Sequence, residues 1–438
     1  MNIVLLSGGS GKRLWPLSND IRSKQFIKIF QNEDGNYESM VQRVYSQIKK
    51  VDADATVTIA TSKTQVSAIN NQLGGGVGIS VEPYRRDTFP AIALATAYLA
   101  DVLGISEEES VVVCPVDPYV DEKYFKALKE LGELADKGNA NLVLMGIEPT
   151  YPSEKYGYII PSDKEKVSKV QNFKEKPDTE TAKAYIEQGA LWNGGVFAYK
   201  LKYVLDKAHE LIDFTDYADL FEKYDTLTKI SFDYAVVEKE DSIEVMRFAG
   251  EWKDLGTWNT LVEAMTGNVI GEAVLNEQCK NVYVINELNV PIICMGLENI
   301  IVSASPEGIL VSELEQSGMI KPYVDKIEQQ IMFAEKSWGN FRVLDVDEKS
   351  MTIEVVLNAG YCMNYHSHDR RDEVWTVVSG KGRAIVDGEE RAIKPGDVIT
   401  LPVGCCHTVI AETDMKIIEV QLGQDITVHD KNKHELDK

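Results

Sequence analysis

Ile3-Val4-Leu5-Leu6-Ser7-Gly8-Gly9-Ser10-Gly11-Lys12-Arg13-Leu14-Trp15-Pro16-Leu17-Ser18 opens the chain, with Lys24-Gln25-Phe26 close behind. A short apolar run with β-branched residues predicts a buried strand. The turn after it, carrying Ser7, Gly8, Gly9 and Gly11, lets backbone approach a ligand closely and presents N–H groups to phosphate oxygens. Arg13 and Lys24 add the positive charge a triphosphate requires. The string predicts nucleotide handling at the end of a strand in an α/β sheet. It is not a Walker A loop, which needs glycine where Leu6 stands and a hydroxyl where Arg13 stands. The dinucleotide fingerprint fails as well, because Leu14 occupies its third glycine.

The rest of the chain bounds this reading. Its 438 residues suffice for two or three domains with their own cores. A hydrophobic fraction of 44% and a charged fraction of 26% are ordinary for a globular protein. The net charge of −23 argues against nucleic acid and anionic membranes as partners. Phosphate ligands must then be held by local basic clusters. Cys114, Cys279, Cys294, Cys362, Cys405 and Cys406 show no CxxC spacing, which suits reduced thiols in a cytoplasm. The first apolar run is too short for a signal peptide, and no stretch approaches the ~20 apolar residues of a membrane span. A cytoplasmic location is expected.

Three textures follow one another. Over 1–265, β-type runs (Thr56–Ala60, Ser110–Cys114, Asn141–Gly146, Val196–Tyr199) alternate with helical ones (Met40–Lys50, Pro90–Leu103, Lys123–Gly138). That alternation predicts a mostly parallel sheet covered on both faces, with ligands at the carboxyl ends of the strands. Over 266–328, short β-rich pieces recur at Asn281–Ile285, Pro291–Met295, Ile300–Ser303 and Gly308–Val311, which suits a small β-solenoid linker. From 329 to 438 the pattern is all-β, with turn signals at Asp387-Gly388 and Pro395-Gly396, predicting a barrel or jelly roll.

The string GGSGKRLWPLS followed by RSKQF resembles the signature of the sugar-1-phosphate nucleotidyltransferases, and among them the mannose-1-phosphate guanylyltransferases, with LAGGSGTRLWPLSR and PKQF. Ser7, Lys12, Asn19 and Ser23 depart from it. The resemblance implies a Rossmann-like transferase domain, a β-helical linker and a place in GDP-mannose and polysaccharide synthesis.

Asp117 follows a β-branched strand, and Asp254 sits in Trp252-Lys253-Asp254-Leu255-Gly256-Thr257-Trp258. A carboxylate at a strand end is placed to hold Mg²⁺, although an isolated Asp is as well explained as a turn former. The resemblance assigns both as metal ligands, through the family's PxDH and WxDxGTW motifs; Pro118 replaces the histidine. Glu82, Arg86 and Thr88 fall on EPxxRNTAPAIA, a nucleotide-binding string, with Asp87 replacing Asn. Thr88 also reads as the cap of the Ala-rich helix behind it. Gly157 lies in a GYGYI-like stretch, and Glu175 and Lys176 in FxEKP, where Glu holds sugar hydroxyls and Lys the sugar phosphate. Outside that motif, an exposed Glu-Lys pair is ordinary solvated surface. Asn193, in a WNSGMF-like string with Gly194 for Ser, is a sugar-hydroxyl candidate. Asp233, in an SIDYA-like segment, reads equally as a helix cap.

A second constellation lies near the C-terminus. His366, His368 and Glu373 follow Gly360 in the order G-x5-H-x-H-x4-E-x6-G, and His407 follows Gly396 in G-x5-P-x-G-x2-H. Both halves of the cupin motif are matched, except that Ala411 replaces a terminal Asn. Alternate strand residues face one way, so His366 and His368 are expected to point into the barrel. Three imidazoles and a carboxylate suit Zn²⁺, Fe²⁺, Mn²⁺, Co²⁺ or Ni²⁺. In bifunctional relatives this domain is a type II phosphomannose isomerase. Arg371, Glu373 and His368 fall on family positions, but His366 replaces Gln, Val374 replaces His, and the acidic YGR-like tail is missing. A structural or sensing cupin is the rival.

The resemblance implies in-line attack of a sugar 1-phosphate on a nucleoside triphosphate, catalysed by Mg²⁺, Arg13, Lys24, Asp117 and Asp254. GTP with mannose 1-phosphate leads; CTP or UTP, or another sugar, uses the same mechanism. A regulatory protein that binds a sugar nucleotide without turnover is the rival from another class. Solenoid layers mediate self-association in related transferases, so a homodimer is expected.

Overall fold

Strand Asn2–Ser7 is buried along almost its whole length and takes parallel neighbours on both edges. Such a strand belongs in the interior of a sheet packed on both faces. In the computed structural model, which describes residues 1–9, 12–19, 21–327, 330–424, 426–427 and 430–435, it does so. The chain divides into two units. The first comprises Met1–Gly9, Lys28–Val66 and Gly75–Leu255; the second comprises Ser10–Ile27, Ser67–Gly74 and Gly256–Lys438.

The first unit is built on a nine-stranded sheet. Strands Gly78–Glu82, Thr56–Ser62, Asn2–Ser7 and Ser110–Pro115 form its parallel half. The other half is largely antiparallel, because Leu191–Lys200 pairs antiparallel with Ser110–Pro115, Leu142–Ile147 and Gly157–Pro161. The sheet is therefore mixed, and its parallel part carries the glycine turn. Helix Met40–Val51 starts on a capping box from Ser39 and Gln42. Helix Thr88–Asp101 buries ten of its fourteen residues against the core. Its cap is Asp87, whose carboxylate accepts the Thr88 N–H at 2.8 Å, and not Thr88. The Thr88 hydroxyl instead accepts the Phe232 N–H at 2.8 Å. Helix Phe232–Ala235 is capped by Ser231, so the cap reading of Asp233 is also corrected.

The second unit contains a short parallel solenoid and a jelly roll. Strands Val269–Ile270, Lys280–Asn286 and Glu298–Ser305 stack in parallel, and Ala273–Leu275 pairs in parallel with Ile292–Cys294. Val282, Val284, Cys294 and Val302 fill the inside of the coils. At one corner the Asn281 amide donates to Asn299 Oδ1 at 2.8 Å, a side-chain ladder between successive coils. The segment carrying Arg13 and Lys24 is fastened to this solenoid. The Ser305 hydroxyl donates to the Pro16 carbonyl at 2.7 Å, and Arg22 makes a two-pronged pair with Glu287 at 2.7 and 2.8 Å. Bidentate pairing of this kind fixes orientation as well as distance.

The jelly roll stacks a six-stranded sheet on a five-stranded one, with antiparallel ladders throughout the described residues. Its strands alternate inward and outward residues, as in Ser350–Leu357, where Met351, Ile353, Val355 and Leu357 are buried. All six cysteines are free thiols. Among the described residues, no helix is long and apolar enough to cross a membrane.

Candidate functional site

In the first unit, Gly8 and Gly9 follow strand Asn2–Ser7, and Gly9 holds a φ of +116°, open to glycine and strained for other residues. Nothing lies within 4 Å of where a Cβ would sit on either glycine. Ser7 is completely buried; its hydroxyl donates to Gln65 Oε1 at 3.3 Å. The Gln65 amide in turn reaches the Gly9 carbonyl at 3.5 Å. Gly11 lies outside the described residues.

Asp117 is tied to the same strand end, because the Val116 N–H donates to the Leu6 carbonyl at 3.1 Å. Asp254 reaches it by strand pairing. Trp252–Asp254 runs antiparallel to Pro118–Val120, with Asp254 opposite Pro118, so the two carboxylates stand on neighbouring positions of one small ribbon. Antiparallel partners lie about 4.5–5.5 Å apart at Cα. Tyr156 registers both: burial pushes its phenol pKa up, and the charges of Asp254 and Asp117 push it further. Tyr156 also packs on Trp192 at 4.9 Å and on Trp252 at 5.5 Å between ring centroids. The Trp252 indole N–H is buried without a hydrogen-bond partner.

Next to Tyr156, Gly157 permits a tight polar cluster. A Cβ at Gly157 would lie 2.5 Å from Glu175 Oε2, 3.0 Å from the Phe173 ring and 3.3 Å from Asn193 Cβ. Glu175 and Asn193 are buried, and Lys176 donates to Glu175 Oε1 at 2.6 Å. That bond raises the Lys176 pKa. The Asn193 amide donates to Asp233 Oδ1 at 2.6 Å, and its carbonyl accepts the Gly195 N–H at 3.1 Å. Burial, reinforced by the charge of Glu175, pushes Asp233 up to about 6. An amide between two carboxyl groups, with one ammonium on the rim, suits a hydroxylated anion.

Glu82 ends the strand two places from Ser7 along the same sheet edge, since Ser7 stands opposite Thr61 and Ser62 opposite Glu82, and Arg86 follows it. Glu82 accepts from the Tyr224 hydroxyl at 2.8 Å, and burial raises its pKa. Arg86 bonds the Asp225 carbonyl and lies over the Tyr84 ring at 5.9 Å. Of the predicted transferase residues, Arg13 and Lys24 belong to the second unit, where Arg13 is exposed and Lys24 half-buried. Sequence reasoning missed Tyr156 and Trp252 and left Asp233 between an SIDYA-like segment and a helix cap, since none carries a local signal of its role.

The jelly roll of the second unit brings together His366, His368, Glu373 and His407, all at most 4% exposed. The ligand nitrogens of the three histidines lie within 4.8 Å of one another. Each Nδ1 contacts a backbone carbonyl, of Asn364, Asp430 and Cys405 respectively, at 2.6, 2.5 and 3.0 Å. A carbonyl only accepts, so each Nδ1 donates, which leaves Nε2 as the atom that would meet a metal. His407 Nε2 is buried without a hydrogen bond, 3.4 Å from Glu373 Oε2. Burial holds His366 down at about 2, fully neutral. Burial opposes ionisation of Glu373, but His368, His407 and Arg371 around it hold the carboxyl well below its usual range. Three imidazoles, one anionic carboxylate and an unsatisfied nitrogen make a donor set that fits a divalent transition metal.

Around this cluster Arg371 donates to Glu373 Oε1 at 2.9 Å and the Trp375 indole to Oε2 at 3.1 Å. Burial, with the charge of Glu373, pushes Glu419 up to about 8. The cluster borders a cavity of about 550 Å³ that Lys336 and Lys431 also line. Burial lowers the pKa of both, to about 8 for Lys431.

Comparison with known proteins bears on both units. The model of the nucleotidyl transferase family matches residues 2–268, and that of the cupin domain residues 353–421. Mannose-1-phosphate guanylyltransferase of Salmonella montevideo is 28% identical, over 98% of each chain. Xanthan biosynthesis protein XanB of Xanthomonas campestris pv. campestris is 27% identical, over 96% of this chain and 95% of that one. A crystal structure from Thermus thermophilus, named a mannose-1-phosphate geranyltransferase, has a TM-score of 0.61 at 26% identity, over 75% of this chain and 98% of that one.

Proposed function

The chain belongs to the nucleotidyl transferase family, and from that premise we propose that it transfers a guanylyl group from GTP to mannose 1-phosphate, releasing pyrophosphate. A phosphate oxygen of the sugar phosphate attacks the α-phosphorus in line, and the bond from that phosphorus to the α–β bridging oxygen breaks. The nucleophile is already an anion, so no general base is required. Catalysis rests on positioning and charge neutralisation. Asp117 and Asp254 would hold Mg²⁺, which when bound neutralises charge on the triphosphate.

The remaining roles follow the chemistry of each group. The turn at Ser7, Gly8, Gly9 and Gly11 cradles phosphate oxygens, and Arg13 and Lys24 add charge. Glu82, Arg86 and Thr88 serve the nucleoside. Glu175 and Asn193 take sugar hydroxyls over the bare backbone of Gly157, and Lys176 takes the sugar phosphate. We assign this chemistry to residues 1–265, the solenoid to 266–328 and a cupin holding a divalent transition metal to 329–438.

The observation that carries the reading is the ribbon pairing Asp254 with Pro118 beside Asp117, at the end of the strand that carries the glycine turn. Its test is the Mg²⁺ dependence of pyrophosphate release in Asp117→Asn and Asp254→Asn. A loss of about 10²–10³-fold is expected, with saturation moved to higher Mg²⁺. Unchanged turnover and Mg²⁺ dependence in folded variants would contradict the assignment.

A further inference from the structure

The cavity beside the histidine cluster has two unlike walls. Phe341, Val343, Met351, Ile353 and Val355 form one, and they project from adjacent strands, Gly339–Asp347 and Ser350–Leu357. These five side chains offer no hydrogen-bond donor, and only the weakly accepting Met351 thioether as an acceptor. Lys336 and Lys431 enter the lining from elsewhere: Lys336 ends strand Phe333–Lys336, and Lys431 comes from the last described segment.

Charge is unbalanced there: the carboxyls in the lining are Glu373 and Glu419, both of which act on Lys431, and burial pushes Glu419 up to about 8. Among the described residues neither lysine has an ion pair within 4.0 Å, and Lys336 Nζ rests over the Phe341 ring at 5.5 Å from its centroid. The third cation, Arg371, is committed to Glu373 Oε1 at 2.9 Å, the Thr427 carbonyl at 3.0 Å and the Asp430 carbonyl at 3.2 Å. Glu373 is fully engaged by Arg371, Trp375 and the histidines. Desolvated ammonium groups without a direct ion-pair partner destabilise a fold, and methionine would fill the same space at no such cost. Their retention points to a ligand that supplies the negative charge.

We propose that this cavity binds an organic anion with an apolar body, its head group between Lys336 and Lys431 and its body against the Phe341–Val355 wall. A polyol phosphate would leave hydroxyls unpaired along that wall, whereas a hydrocarbon or aromatic body buries apolar surface there. The volume of about 550 Å³ lies within the usual range for small-molecule sites. This inference is independent of the transferase reading.

The test is calorimetric titration of the full-length protein with phenyl phosphate, inorganic phosphate and mannose 6-phosphate. Phenyl phosphate is expected to bind at one site per chain, at least tenfold more tightly than the other two. Lys336→Met and Lys431→Met should each weaken it at least tenfold while raising the melting temperature of the ligand-free protein, and Lys431→Arg should keep binding. Pyrophosphate release and metal content should stay at wild-type levels in all three variants, which separates this site from the transferase. Unchanged affinity in both methionine variants, or tighter binding of mannose 6-phosphate than of phenyl phosphate, would overturn the proposal.

Discussion

Replacing Gly157 by alanine probes the sugar pocket at one atom. The new Cβ would stand 2.5 Å from Glu175 Oε2, while ordinary contact begins at 3.4 Å, so the carboxylate must retreat by about 0.9 Å. Glu175 can move, because its oxygen ends a flexible side chain, but it carries Lys176 with it through the 2.6 Å bond. The Phe173 ring at 3.0 Å and Asn193 Cβ at 3.3 Å give less readily. Overpacking of this kind costs about 1–3 kcal/mol, and the mobile oxygen puts this site near the low end. Displacing a positioning group by about 1 Å can reduce turnover about 10²-fold. The expected outcome is a fall of about 10–100-fold in kcat/KM for mannose 1-phosphate, with the KM for GTP unchanged and the melting temperature lowered by only a few degrees. Steady-state pyrophosphate release with each substrate varied in turn decides it. Wild-type kcat/KM in a folded G157A protein, or equal losses for both substrates, would refute the idea that Glu175 and Asn193 read the sugar.

Three further outcomes are expected. Asp233 is raised to about 6 in the folded chain, so its contribution to stability is fully present below its unfolded pKa and is lost as pH rises through about 6; Asp233→Asn should flatten that part of a melting curve measured from pH 4 to 8. Chelation should strip one metal per chain and lower the melting temperature of the jelly roll, and His366→Ala or His407→Ala should reduce metal content by elemental analysis to near zero. Gly339 has a φ of +146°, and a Cβ there would meet the Val356 carbonyl at 1.9 Å; Gly339→Ala should unfold the jelly roll, seen as loss of its metal, while first-unit helices keep their circular dichroism.

Much of this architecture was legible because its signals are local. The strand and glycine turn at Ile3–Gly9, the amphipathic run at Met40–Lys50 and the His366/His368 alternation are read within a dozen residues. The antiparallel half of the sheet was not, since nothing in Leu191–Lys200 says that it joins strands from three other parts of the chain. Caps slipped by a residue or two for a related reason. Asp87 and Thr88 both cap helices well, and only the backbone shows which carboxyl or hydroxyl turns back. The Asp254–Asp117 juxtaposition was reached by resemblance, because the long stretch of chain between them carries no periodicity that links the two. Nothing in the sequence singles out Lys336 or Lys431. Their role appears only when strands distant in sequence close a cavity around them.

The most direct test of the transferase is pyrophosphate release with Mg²⁺ across the four nucleoside triphosphates and a panel of sugar 1-phosphates. Turnover confined to GTP with mannose 1-phosphate, abolished in Asp254→Asn, is the result predicted here. No turnover with any pair by folded, metal-replete protein would contradict it.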